Sequence, residues 1–279
     1  MDLKYIILDD TILFEGHTLH RIEALKDFGD VKKGEKGGWI EKESNLSQEG
    51  NCWVGGDAKV YGDARVYCDA EVYGNAEVYG HAHVQGCARV YGAKVWGRAW
   101  VYGGARVYGS ARVYDDARVH GYAHVYGDAQ VYNHTEVYDS AEVYGHTYVY
   151  CDAKVYGHAR VHGNAHVRDD AEVYGNARVR DDAKVYGSAH VGGIAEILNH
   201  GWVCDHAQVG DRAVICDDSW VNGHAHVYGD AVICGNARVY GGANVCDHAR
   251  VSGDAKVYGD ARVDGNTTVS GYARVSGNA

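Results

Sequence analysis

Apolar and polar positions alternate along this chain with a period of two inside a phrase and six between phrases. From Cys52 onward the phrase is Ala-x-Val-Tyr-Gly-Asp, as in Ala64-Arg65-Val66-Tyr67, Ala105-Arg106-Val107-Tyr108 and Ala255-Lys256-Val257-Tyr258. A Val or Ile recurs every six residues from Val54 to Val90, slips by one at Val95, and then keeps its phase to Val275. The slip lies in Tyr91-Gly92-Ala93-Lys94-Val95, where one corner residue is missing. Ala and Val, two positions apart, point to the same side of an extended strand, and x and Tyr to the other. The x slot holds Lys59, Arg65, Glu71, Glu77, His83 and Arg89 in succession, so that side is wet. Gly-Asp, Gly-Asn or Gly-His follows, and these residues accept corner dihedrals. A helix would need a 3.6-residue period, which is absent. A short strand and a two-residue corner, repeated in phase, predict a solenoid in which stacked coils share one core.

The phrase resembles the hexapeptide repeat, an aliphatic residue with a small residue four positions later. In that family three phrases make one triangular coil of a left-handed parallel β-helix. The resemblance therefore implies an all-β, left-handed parallel β-helix of about 12–13 coils. The left hand comes from the resemblance alone, since parallel crossovers are otherwise right-handed. The segment Gly37-Gly38-Trp39-Ile40 through Asn51-Cys52-Trp53-Val54 resembles the entry segment of uncharacterised bacterial and phage hexapeptide-repeat proteins. Those are often labelled acyltransferase-like on the repeat alone, a label that transfers fold and not chemistry.

The first fifty residues break the pattern. Lys4–Leu8 and Thr11–Phe14 read as short strands, Glu15-Gly16-His17 as a turn into Thr18–Leu25, and Asp30–Gly38 as a charged loop. Ile40 and Leu46, six apart, suggest a first ragged coil. Residues 1–51 are thus expected to cap the open edge of the first coil, with 52–279 forming the solenoid. At the other end the chain would stop part way through a corner, at Asn278-Ala279.

Composition narrows the function. The chain of 279 residues has no Pro, 38 Gly and 23 Tyr, and its formal charge is −11. That charge argues against a general nucleic-acid binder, which needs a cationic surface. No stretch approaches a membrane helix, and the N-terminal apolar run is too short for a secretory signal. A cytoplasmic protein is the expectation. The eight Cys sit in several different slots of the repeat and read as free thiols rather than a disulfide framework.

Residues 18 apart stack on neighbouring coils, which turns the sequence into a surface map. One face carries the aromatic ladder Tyr73, Tyr91, Tyr108, Tyr126 and Tyr144, and another carries Tyr61, Tyr79, Trp96, Tyr114, Tyr132 and Tyr150. Such ladders stabilise in-register strands, or offer a platform to sugars or a partner. Further along, Leu198, Val214, Cys216, Val232 and Cys234 on one face, with Trp202 and Trp220 on the next, predict a contiguous exposed apolar patch. A patch of that kind marks a contact with another protein or a second copy of the chain.

Catalytic candidates are sparse. In the hexapeptide acyltransferases a His near a subunit interface is the general base and CoA lies along the prism. The resemblance would place that role on His206 or His224, with Cys204 a candidate partner in Cys204-Asp205-His206 and acetyl-CoA the cofactor. The loop excursion and the C-terminal helix that shape the acyl-donor site in that family are missing. The Cys and His spacings match no zinc motif, so no metal is expected. Eight of the 17 His sit in the corner slot before Ala, and all 17 are expected to titrate near their ordinary value of about 6.5 unless buried, with the fold surviving mild acid. The primary reading is a non-enzymatic structural or binding solenoid without a cofactor. A divergent acetyl-CoA-dependent acyltransferase and a carbohydrate-binding or adhesion module are the alternatives.

Overall fold

The computed structural model describes residues 3–277. The fold is an all-β parallel β-solenoid of about 13 turns, as the six-residue period implies. Among the described residues the helical content is one 3-10 turn, Glu43–Asn45. Asn278 and Ala279, where the last corner was expected to stop, lie outside the described residues. The chain divides into two compact units, Met1–Asp139 and Ser140–Ala279.

The first unit opens with β1 (Tyr5–Phe14), β2 (His17–Ala24) and β3 (Lys36–Ile40). β1 and β2 pair antiparallel, as do β2 and β3. The two short strands expected at Lys4–Leu8 and Thr11–Phe14 are one strand, because a register shift between Ile7 and Thr11 absorbs the Asp9-Asp10 interruption without ending it. β3 then pairs in parallel with Lys59–Val60, Ile40 lying opposite Val60, and Leu46 bridges to Val66. Ile40 and Leu46 therefore occupy core positions below the first regular coil, and parallel pairing begins before residue 52. Lys4 fastens this segment. Its buried Nζ donates to Cys52 O at 2.9 Å and approaches Cys52 Sγ at 3.1 Å, while desolvation lowers its pKa.

From Val54 the chain visits three sheets in turn, each strand pairing in parallel with the one a coil away. Val54 lies opposite Val72, Val60 opposite Val78, and Val66 opposite Val84. Ala and Val side chains point inward and are buried on all three sides up to the last coil, where Ala273 is exposed and Val275 half-buried. That space admits few other residues. Where Thr135 replaces Ala, its hydroxyl donates to Tyr132 O at 2.7 Å, so the buried polar atom is satisfied. The second unit repeats the scheme, with Ile197, Ile215 and Ile233 in Val slots and Ser219 in an Ala slot, its hydroxyl bonded to Cys216 O at 2.6 Å.

Corners follow one rule. The first corner residue adopts a left-handed conformation, such as φ 66 at Gly62 and φ 57 at Asp115. Asp pays off the strain there with a hydrogen bond to the next coil: Asp205 Oδ2 accepts from Gly223 N at 3.1 Å and Asp211 Oδ2 from Gly229 N at 3.0 Å. The shortened corner after Tyr91 changes the step. Val78 pairs with Val95 and Val90 with Val107, and Gly92 N donates to Tyr73 O at 3.1 Å.

Gly97→Ala tests the corner rule, since its Cβ would sit 2.7 Å from Asp115 N at a φ of +71. The substitution is expected to destabilise by at least about 1 kcal/mol in urea unfolding. Gly210→Ala, where nothing lies within 4 Å, should change stability by less than about 0.5 kcal/mol.

Candidate functional site

The residue after each Val projects outward next to its counterpart one coil away, and in the first unit these rings stack. Tyr61 and Tyr79 lie 5.0 Å apart, Tyr79 and Trp96 5.7 Å, Trp96 and Tyr114 4.3 Å, and Tyr114 and Tyr132 4.8 Å, all within 6° of parallel. On the neighbouring sheet Tyr73, Tyr91 and Tyr108 are in register, but the stack does not run through them unbroken. Tyr108 stacks on Tyr126 at 4.8 Å, while Tyr91 is 63% exposed and lies over Gly74. Tyr91 adjoins the lost corner residue, where Gly92 passes directly to Ala93. Tyr144, in the second unit, stacks on His162 at 4.7 Å.

The apolar patch expected in the second unit takes a different form. Leu198, Trp202, Val214, Cys216, Trp220, Val232 and Cys234 are all half-buried rather than exposed. Val214 and Val232 lie opposite one another, as do Trp202 and Trp220. The two indoles stack at 4.4 Å and 16°. Lys184 Nζ covers the Trp202 ring at 4.6 Å and the Arg238 guanidinium covers Trp220 at 5.3 Å. Ring faces that would have made an apolar surface are thus spent on each other and on two cations. What remains outside is polar. His200 stands 3.8 Å from Asp182 and 3.6 Å from Asp218. With Lys184 and the Trp pair, these groups line an open cleft of about 640 Å³. Reading the x column and the corner column side by side at 18-residue spacing would have found Lys184, Arg238, Asp182 and Asp218.

The catalytic candidates do not converge. Cys204 is 4% exposed and accepts a hydrogen bond from the Tyr186 hydroxyl. Burial pushes the thiol pKa up, so at neutral pH it stays protonated and unreactive. Tyr186 is in turn covered by the Arg168 guanidinium at 4.5 Å. His206 and His224 stack on each other at 4.9 Å in exposed corners, and the hydrogen-bond partner of the Cys204 thiol is Tyr186. A nucleophile needs a base within hydrogen-bond reach, and Cys204 has taken a tyrosine instead.

Residues 111–127 and 233–246 match the family model described as the YdcK beta solenoid repeat. The chain is a repeat β-helix protein. No curated protein matches the sequence. Among the described residues no helix is long and apolar enough to cross a membrane.

Among the described residues two clusters of metal-ligating side chains emerge that spacing did not reveal, because their members come from different coils. Sγ of Cys216, Sγ of Cys234 and a carboxylate oxygen of Asp217 lie within 4.8 Å of one another, and so do ligand atoms of Cys246, Asp247 and Asp264. The second cluster is engaged already: Cys246 accepts from the Tyr228 hydroxyl, and Asp264 pairs with Arg262 Nε at 2.7 Å.

Four histidines fall under the exception made for buried imidazoles. His83, His120, His162 and His166 occupy strand slots inside the ladders instead of corners, and desolvation lowers the pKa of each. His120 is held between Tyr102 at 4.6 Å and Tyr138 at 5.1 Å. With the folded pKa depressed, the unfolded chain binds the proton more readily. The stability these groups contribute is present above the unfolded value near 6.5 and is lost as pH falls through the depressed folded values. The melting temperature is therefore expected to drop between pH 7.5 and pH 5 (about one unit or more either side of the free imidazole value). Replacing His120 and His162 by Gln should flatten that dependence.

Proposed function

We propose that the protein is a non-enzymatic binding solenoid that engages another protein chain, a second copy or a different one, through the outer row around Trp202 and Trp220. The observation that carries this reading is the Lys184–Trp202–Trp220–Arg238 column, in which two indoles are immobilised between two cations. Beside it the carboxylates of Asp182 and Asp218 stand at fixed spacings around His200. Ring edges, cations and acids held rigid before contact lower the ordering cost of association, and Trp and Arg are the residues on which interfaces concentrate their energy. Regular strands on every side also make the surface rigid over neighbouring coils.

The same geometry weakens the two alternatives. A sugar packs on an open aromatic face, whereas the faces in this column and in the Tyr61–Tyr132 ladder are covered by the next ring or by a cation. An acyltransferase would need a base aimed at an acceptor, and His206 and His224 are stacked on each other. The reading retains a cytoplasmic location and needs no cofactor.

Replacing Trp202 and Trp220 together by Ser is expected to lower the assembled mass in sedimentation equilibrium while leaving the β-type circular dichroism intact, because both rings lie outside the Val core. Acetyl-CoA should show no binding in calorimetry. Micromolar acetyl-CoA affinity that disappears in His206→Ala or His224→Ala would overturn the reading in favour of the acyltransferase.

A further inference from the structure

On the sheet next to the Trp column, two thiols stand one above the other. Cys216 and Cys234 follow Ile215 and Ile233, which are partners in a parallel ladder, so both side chains leave the backbone in the same direction. The Cys216 thiol donates weakly to Ile233 O at 3.7 Å, and its sulfur lies within 4.8 Å of that of Cys234, both at the half-buried surface. Asp217 begins the corner immediately after Cys216 in the left-handed conformation, φ 58. That turn brings its carboxylate toward the next coil, where Oδ2 accepts from Gly235 N at 3.0 Å. Oδ1 accepts from Asn199 Nδ2, one coil earlier, at 3.1 Å. The carboxylate is thus oriented from both sides, and each oxygen keeps a further lone pair.

We propose that Cys216, Asp217 and Cys234 form a binding site for one thiophilic divalent cation of the zinc class. All three donor atoms lie within 4.8 Å of one another, so that small side-chain rotations bring them around a single ion at bond lengths of about 2.0–2.3 Å. The donor set, two sulfurs and one carboxylate oxygen, suits a borderline-soft tetrahedral ion and leaves the fourth position to water. On binding, each thiol releases its proton to solvent as its sulfur–metal bond forms, with no change of oxidation state. A disulfide fits the same pair less well. Parallel strands hold the two Cβ atoms about 4.8 Å apart, beyond the roughly 3.5–4.5 Å a disulfide requires. The Cys246 cluster lacks this availability, because Arg262 already neutralises Asp264 and Tyr228 already holds the thiol. Two of the residues expected to serve an apolar contact, Cys216 and Cys234, are assigned here to a staple between consecutive coils.

The test uses the full chain, reduced and metal-free, with Cys68, Cys87 and Cys151 replaced by Ser to remove thiols less buried than the core. Co²⁺ alone should bind at one equivalent with the visible bands of a tetrahedral site and thiolate-to-cobalt charge transfer, and Zn²⁺ should displace it. Cys216→Ala with Cys234→Ala should abolish the signal, and Asp217→Asn should weaken binding at least about 10-fold. A second readout in the unmutated chain does not depend on how the variants fold: Zn²⁺ should slow alkylation of Cys216 and Cys234 by iodoacetamide, measured by mass spectrometry. The proposal is overturned if the cobalt spectrum is absent or survives loss of both thiols. It is equally overturned if Zn²⁺ gives no protection, or if the protein prepared without reductant carries a Cys216–Cys234 disulfide.

Discussion

Everything in this protein depends on backbone hydrogen bonds that hold each strand in register with the strand one coil away. Once that register is set, like meets like at every slot. The inward slots then face a narrow space that Ala and Val fill completely. The first corner residue must take a left-handed conformation against the corner above it, which Gly adopts freely and Asp adopts with a carboxylate cap on the neighbouring N–H. Outward slots form columns, and each column must manage repetition. Rings do so by stacking. Charges do so by pairing along the column, as Lys94 with Glu77 at 2.7 Å, Arg118 with Glu136 at 3.2 Å and Arg178 with Glu196 at 3.1 Å. Exposed pairs of this kind contribute little each, but they remove the repulsion that in-register repetition would otherwise build.

The core and the corners were legible in the sequence because a six-residue period leaves a single assignment for each slot. Val60, Val78 and Val95 are where the phase puts them, including the slip. The entry segment was legible in outline, and Ile40 and Leu46 do occupy core columns. Asp9-Asp10 looks like a boundary in the sequence, whereas pairing with β2 carries the single strand β1 through a local shift.

The outer surface was legible only in part. Slot membership predicted which residues are neighbours, and the Tyr61–Tyr132 column follows it. It did not predict rotamers or what covers each ring. Trp202 and Trp220 read as exposed because the cations above and below them belong to other phrases of the same column, and polarity by slot does not say where a long side chain lies. Cys204 reads as a partner for His206 because the two are close in sequence, but the thiol bonds to Tyr186, a coil away, and His206 stacks on His224.

The corner shortened after Tyr91 has a consequence for any neighbour that lies along the first unit. A surface that recurs every coil offers many equivalent seats, each displaced from the next by one strand spacing of about 4.8 Å. A partner docked on such a surface could slide by whole coils at little cost. In the row of second corner residues Asp57, Asn75, Ser110 and Asp128, the member between Asn75 and Ser110 does not exist, since Gly92 passes directly to Ala93. That one missing side chain abolishes the translational degeneracy. It supplies an origin from which position along the face is counted, so a fold built from interchangeable parts still carries an address.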